Sequence, residues 1–226
     1  MPIDTSPRNP PYFLCLSTHV FYFPQMRVFF CAALLTTAVV FLTGCASTGG
    51  VGRFRTVVLD AGHGGIDRGA KGVDNSSEKI YALDTAKRVE RGLKRAGYGV
   101  VMTRKSDKFM TLPSRVAISN RRRGAIFVSI HYNWARNSGA SGTETFYFNS
   151  KSYPLAANIQ RELARFSNNR GVKRARFHVL RNNARPSALV ECGFLSNSGD
   201  ARKARSASYR QRVADAIVRG IVKSSR

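Results

Sequence analysis

From residue 54 onward, apolar and polar positions follow two rhythms. Short apolar runs bounded by Gly, Asn or charged residues predict strands at 54–59, 99–103, 126–130, 143–148, 177–180 and 188–192. Between them, apolar residues recurring at three- or four-residue intervals predict helices at 77–96, 112–123, 154–166 and 209–222. The first helix has the clearest stripe. Ile80, Leu83, Ala86, Val89 and Leu93 recur on one face, and Ser76 or Ser77 is placed to cap it. Strands alternating with helices predict a single α/β domain over 54–226 with a largely parallel sheet. No internal repeat is present.

The chain has 226 residues, enough for one domain with a substantial core. Its 37 basic against 13 acidic residues give a net charge of +24. A surface this basic favours anionic polymers or envelopes and says little about fold. It also raises a nucleic-acid-binding reading. The basic residues, however, form no motif interleaved with stacking aromatics, and the amino-terminal stretch points to export.

That stretch changes the picture of where the fold begins. Met26-Arg27 leads into an apolar run from Val28 to Phe41, then Leu42-Thr43-Gly44-Cys45. A basic start, an apolar segment of this length and small residues at its end describe a secretory signal. The run is short for a membrane span. Leu-Thr-Gly-Cys resembles the bacterial lipobox, so Cys45 is expected to be lipidated. Residues 1–25 fit neither a signal nor a domain and suggest a start assigned too early, with Met26 the true start. Residues 26–44 are then the lipoprotein signal, and 45–53 a lipidated Cys with a short tether. The expected location is the periplasmic face of the cell envelope, lipid-anchored. Because Ala46 is not an aspartate, the outer membrane is favoured where the host has one. With Cys45 acylated, Cys192 is left without a partner for an intrachain disulfide. Neighbours in a strand face opposite ways, so Cys192, next to Glu191, reads as packing.

Three apolar runs each lead into a metal-capable or acidic residue. Val57-Val58-Leu59 leads to Asp60 and then His63. Phe127-Val128-Ser129-Ile130 leads to His131, and Leu189-Val190 to Glu191. Each polar residue is expected where its strand stops. Ligands bind outside the carboxyl ends of the strands in open α/β sheets, so two imidazoles and a carboxylate converge on one edge. Hydrolytic zinc takes three protein ligands and leaves a position for water. His63 and His131 supply two. Glu78, in the first turn of the first helix, fits as the third, and Asp60 and Asp67 rival it on spacing. Asp60 could instead orient an imidazole. Glu191 is hard to explain as packing, because a buried carboxylate without a partner is costly. Glu144 is a weaker candidate on the neighbouring strand, and His178 reads as surface or edge strand.

A family resemblance follows from these motifs. Asp60-Ala61-Gly62-His63-Gly64-Gly65-Ile66-Asp67-Arg68-Gly69 resembles the first motif of zinc-dependent N-acetylmuramoyl-L-alanine amidases. Glu78-Lys79 with Leu83 and Ala86 resembles the second, and Ser129-Ile130-His131-Tyr132-Asn133 the third. Leu180-Arg181-Asn182 followed by Leu189-Val190-Glu191-Cys192-Gly193-Phe194 is similar to the last. Arg104, Asp107, Leu112, Arg115 and Asn120 resemble the segment leading to the third motif.

The resemblance covers 55–226 with the motifs in order. It implies that His63, Glu78 and His131 bind Zn2+ and that Glu191 is the catalytic carboxylate. Asp60, Asn133, Glu144 and Arg181 become candidates for bracing the ligands or contacting substrate. It implies a mixed sheet flanked by helices and peptidoglycan as substrate. Separately from the resemblance, the export signal argues against a nucleic-acid partner, and a monomer is expected, with room for an unidentified activator. The alternatives are a non-catalytic wall-binding lipoprotein and a zinc-dependent polysaccharide deacetylase. Ala61 and Arg68 depart from the family's frequent prolines, and Trp134 stands where a small residue is usual. Residues 153–176 leave room for one helix, so an internal blocking helix is not expected.

Overall fold

The computed structural model describes residues 51–225. The leader, Cys45 and most of the tether lie outside them. The described chain forms one six-stranded sheet with the order β2-β1-β3-β6-β4-β5. The strands are β1 Thr56–Ala61, β2 Gly99–Met102, β3 Ala125–Asn133, β4 Thr143–Tyr147, β5 Asn169–Arg174 and β6 Ser187–Phe194. Every pairing is parallel except β4 on β6. The sheet is mostly parallel, as the α/β alternation implies, and mixed, as the family resemblance implies.

Six helices flank it: α1 Glu78–Arg95, α2 Leu112–Asn120, α3 Tyr153–Leu163, α4 His178–Arg181, α5 Ser198–Arg205 and α6 Ala207–Ser224. The central strands read as unbroken apolar runs because both faces are covered. Val57, Leu59, Ile126, Val128, Ile130 and Val190 join one core beneath α1, α3 and α6. Val58, Phe127 and Leu189 point the other way, into a smaller core shared with α2 and α4. Gly220 permits close packing on the larger side, since a Cβ there would sit 2.5 Å from Ile159 Cα. The smaller side has a nine-residue helix and a four-residue one. They cover only part of the sheet, and the functional cleft occupies the rest.

Several expectations change. Residues 177–180 are not a strand: Val179 and Leu180 are buried from the short helix α4. Periodicity cannot separate strand from helix in so short an apolar run. The sixth strand is instead β5, Asn-Arg-Gly-Val-Lys-Arg, an edge strand with one apolar residue. Polar edge strands resist unwanted pairing and leave almost no hydrophobic signal. Helix α5 has no counterpart among the expected helices, because it is largely charged. Asn197 opens it by accepting a hydrogen bond from Asp200 N–H. In α1, Ser77 takes the N-cap position without a side-chain cap bond. Ile80 is 58% exposed, and the buried face is instead Tyr81, Ala82, Thr85, Ala86, Val89 and Leu93. No described helix is long and apolar enough to cross a membrane.

Candidate metal centre and cleft

Strand alternation decides which side chains meet. Asp60 lies on the same side of β1 as Val58, His131 on the side of Phe127, and Glu191 on that of Leu189. All three therefore face the partly covered side of the sheet. His131 and Glu191 are register partners on adjacent strands. They do not end their strands, contrary to the sequence expectation: β3 continues to Asn133 and β6 to Phe194. A register irregularity between His131 and Asn133 marks the place.

His63 comes from the turn after β1 and adopts φ 61°. Its Nδ1 lies 2.9 Å from both oxygens of Asp67, and its Nε2 2.9 Å from Glu78 Oε2. His131 Nδ1 lies 2.8 Å from Glu78 Oε1. The donor atoms of His63, Glu78 and His131 all fall within 4.8 Å of one another. Glu78 sits in the first turn of α1 and is buried. It accepts further bonds from Ala70 N–H at 2.8 Å and Tyr132 N–H at 2.9 Å. Burial would raise its pKa, but the two imidazoles hold it far below the usual carboxylate range. Burial likewise opposes the charging of His63, and the carboxylates of Glu78 and Asp67 outweigh it, so its pKa is raised.

Two imidazoles and a carboxylate facing one point suit a divalent cation. Glycines make the room. A Cβ on Gly69 would lie 2.5 Å from Glu78 Oε2, and one on Gly62 would lie 2.3 Å from His131 Cε1. Of the acids that rivalled Glu78, Asp67 is the one that orients an imidazole. Asp60 does not touch one. It is buried and accepts bonds from Arg115, Thr103 and Ser129, each at 2.7 Å.

Arg115 and Arg104 carry a role that spacing does not reveal. Arg115 donates to the carbonyls of Ala61 and His63, and Arg104 to those of Ala61 and Gly62. Two buried guanidiniums thus hold the backbone of the ligand-bearing turn. The family resemblance marks both arginines without giving them a role, and their spacing alone gives none.

Glu191 is buried beside the cluster, and its Oε2 has no hydrogen-bond partner among the described residues. Burial, then the nearby charges of Glu78 and Glu144, push its pKa well above the carboxylate norm. Glu144 is its register partner on β4. Glu144 is tied down by Asn133 Nδ2 at 2.7 Å, Arg170 Nε at 3.1 Å and Lys173 Nζ. Asn133 lines the cleft. Arg181 is exposed on α4 and is not among the residues lining it. His178 does line it, from a helix rather than an edge strand. Cys192 faces the opposite core, where burial pushes its thiol pKa up. The cleft has a volume of about 950 Å³, far more than an ion and a water need.

Fold and cleft together define an α/β domain built around a His-Glu-His cluster that could hold a metal ion, with an uncommitted carboxylate beside it. The chain belongs to the N-acetylmuramoyl-L-alanine amidase family, whose model matches residues 57–223. It is 40% identical over 202 residues to the uncharacterized protein YqiI of Bacillus subtilis (strain 168), covering 87% of this chain and 97% of that protein. It is 39% identical over 173 residues to N-acetylmuramoyl-L-alanine amidase LytC of the same organism, covering 74% of this chain and 35% of LytC. The fold matches the catalytic domain of CwlV, an N-acetylmuramoyl-L-alanine amidase from Bacillus (Paenibacillus) polymyxa var. colistinus. The TM-score is 0.73 at 36% identity, over 75% of this chain and 97% of that domain.

Proposed function

We propose that this protein hydrolyses the amide bond between the lactyl group of N-acetylmuramic acid and L-alanine in peptidoglycan. The observation that carries the reading is the pairing of His63, Glu78 and His131 around one point with Glu191, whose Oε2 is uncommitted. His63, Glu78 and His131 would hold a zinc ion, for which two imidazoles and a carboxylate are a suitable donor set. When bound, zinc lowers the pKa of water and polarises a carbonyl.

The remaining work falls to the chain's own residues. Asp67 accepts from His63 Nδ1 and so leaves Nε2 facing Glu78. Arg104 and Arg115 fix the turn that carries His63. Glu191 accepts the proton of the attacking water as the new C–O bond forms. It then passes that proton to the alanine nitrogen as the C–N bond breaks. A carboxyl whose proton affinity is raised by burial is suited to both transfers near neutral pH. The products are a lactyl carboxylate on the glycan and a stem peptide with a free amine. Water is the nucleophile, so the buried Cys192 takes no part.

The proposal includes lipidation at Cys45 and residence at the periplasmic face of the envelope. Labelled palmitate entering the wild type but not Cys45→Ser supports it. Activity is tested by mass spectrometry of peptidoglycan incubated with the purified protein, with and without a chelator, beside Glu191→Gln. Stem peptides beginning with L-alanine, lost with chelator and in the variant, are the expected result. Acetate release would make it a deacetylase. No product from the zinc-loaded, folded protein would favour the wall-binding reading.

A further inference from the structure

The cleft has two unlike walls. One is the edge formed by residues 71–73, 134–138 and 195–196. Hydrogen bonds tie these together: Val73 N–H to Leu195 O at 3.0 Å, Leu195 N–H to Asn133 O at 2.8 Å, and Ala135 N–H to Ser196 Oγ at 3.0 Å. This wall exposes Lys71, Trp134 and Arg136 to the cleft. Neither Lys71 nor Arg136 makes a side-chain hydrogen bond or ion pair among the described residues. Trp134 is 55% exposed. An exposed indole and two uncommitted cations on one wall have no structural task, because removing all three side chains would break no hydrogen bond in the fold.

The other wall is formed by α2, α4 and the face of β6. Ser119 and Asn120 bond Asn183 and Asn182, which locks α2 to α4. It presents Leu112, Phe177, Val179 and Leu189. Phe177 stands edge-on to Phe146 at 5.1 Å. The wall's cation, Arg115, is occupied by Asp60 and the backbone carbonyls of the ligand turn. His178 is its other polar member. His63, Glu78, His131 and Glu191 line the same cleft as both walls.

The substrate of the proposed reaction is equally asymmetric. On one side of the scissile amide lies a glycan of uncharged N-acetyl sugars, with flat C–H faces. On the other lies a peptide that carries free carboxylates. We infer that Lys71, Trp134 and Arg136 form a subsite for the carboxylate-bearing stem peptide, and that the apolar wall around Phe177 receives the glycan. This rests on the proposed amidase reading and adds the direction in which the substrate lies. The cations pair with carboxylates, and the indole covers the aliphatic parts of the peptide between them. Carboxylates on the opposite wall would meet no uncommitted cation. Reversing the substrate would therefore forfeit the charge pairing and leave Lys71 and Arg136 facing neutral sugar.

Trp134 is the chain's single tryptophan, so its fluorescence reports on this wall alone. The detergent-solubilised full chain is titrated with three probes. These are a free stem tripeptide beginning L-alanyl-γ-D-glutamyl, the same peptide with its carboxylates amidated, and a peptide-free trimer of N-acetylglucosamine. The expected result is a saturable change with the free peptide that weakens on amidation and with added salt. Replacing both cations (K71Q with R136Q) should weaken binding about fivefold to tenfold, as loss of two exposed charge pairs implies. K71R with R136K should restore it. A response to the sugar trimer instead, an amidation-insensitive response, or no response to any probe overturns the assignment. Product analysis of digested peptidoglycan tests the amidase reading separately. A peptide-specific response without amide cleavage would refute that reading while the subsite stands.

Discussion

Glu191 and Asp60 show how two buried carboxylates on one sheet come to do different things. Asp60 accepts three short bonds, one from a buried guanidinium. Burial raises its pKa, but Arg115, Thr103 and Ser129 reverse this and hold it below its ordinary value. A depressed folded-state pKa means stability that is complete above the unfolded carboxyl's pKa of about 4. That contribution is lost as pH falls through the folded value. Asp60→Asn should therefore cost about 3–5 kcal/mol at pH 7, because it leaves Arg115 buried and unpaired. The gap to wild type should narrow near pH 3, and urea unfolding at the two pH values measures it. Glu191 has no such partners. Its Oε2 has no hydrogen-bond partner among the described residues, and in the proposed reaction this is the group that carries the proton. Glu191→Gln should leave the melting temperature nearly unchanged and lower kcat by at least about 10²-fold, as removal of a general acid–base does. Unchanged turnover would remove Glu191 from the reaction.

Elements differ in how plainly they announce themselves. Helix α1 is amphipathic over 18 residues, and its periodicity marks it almost to its ends. The stripe misassigns Ile80, which is exposed, because the buried face is set by contact with β3 and α6 and not by hydrophobicity alone. Leu93 is fully buried on that face. Leu93→Ala should cost about 2–5 kcal/mol, read as a lower urea midpoint. Helix α5 has no such stripe, and the cap at Asn197 is what marks where it begins. Strand β5 exists because β4 offers it an edge to pair with, not because its own residues favour burial.

At the scale of the whole molecule, charge bears on wall binding, and a metal held at the cluster would bear on stability. The net charge of +24 predicts that wall binding weakens as salt is raised from about 50 mM to about 500 mM, because exposed charges are screened. Sedimentation with insoluble peptidoglycan measures it, and a salt-independent bound fraction would rule out electrostatic retention. A cation held at His63, Glu78 and His131 binds only the folded chain. Chelation should therefore lower the melting temperature. The loss of stability is about 2.7 kcal/mol when the free metal had stood at about a hundred times its dissociation constant.

Several features are legible in the residue pattern: an α/β alternation of strands and helices, two histidines drawn to one edge of the sheet and a buried carboxylate beside them, whereas Glu78 is singled out from Asp60 and Asp67 only by the family resemblance. Apolar runs reveal strands, and a charged residue inside such a run needs a special reason to be there. Other features are not legible. Asp60 turns to Arg115 and Asp67 to His63, although spacing allows the reverse. Residues 177–180 do not form a strand, a polar segment supplies the sixth one, and two arginines close on the ligand turn. The sequence by itself determined which residues had to be buried and which chemistry burial would have to accommodate, since both follow from local pattern and solvation. Which polar group meets which was decided only by the tertiary structure. Strand register and the partial cover of α2 and α4 set those distances, and residues far apart along the chain supply the partners.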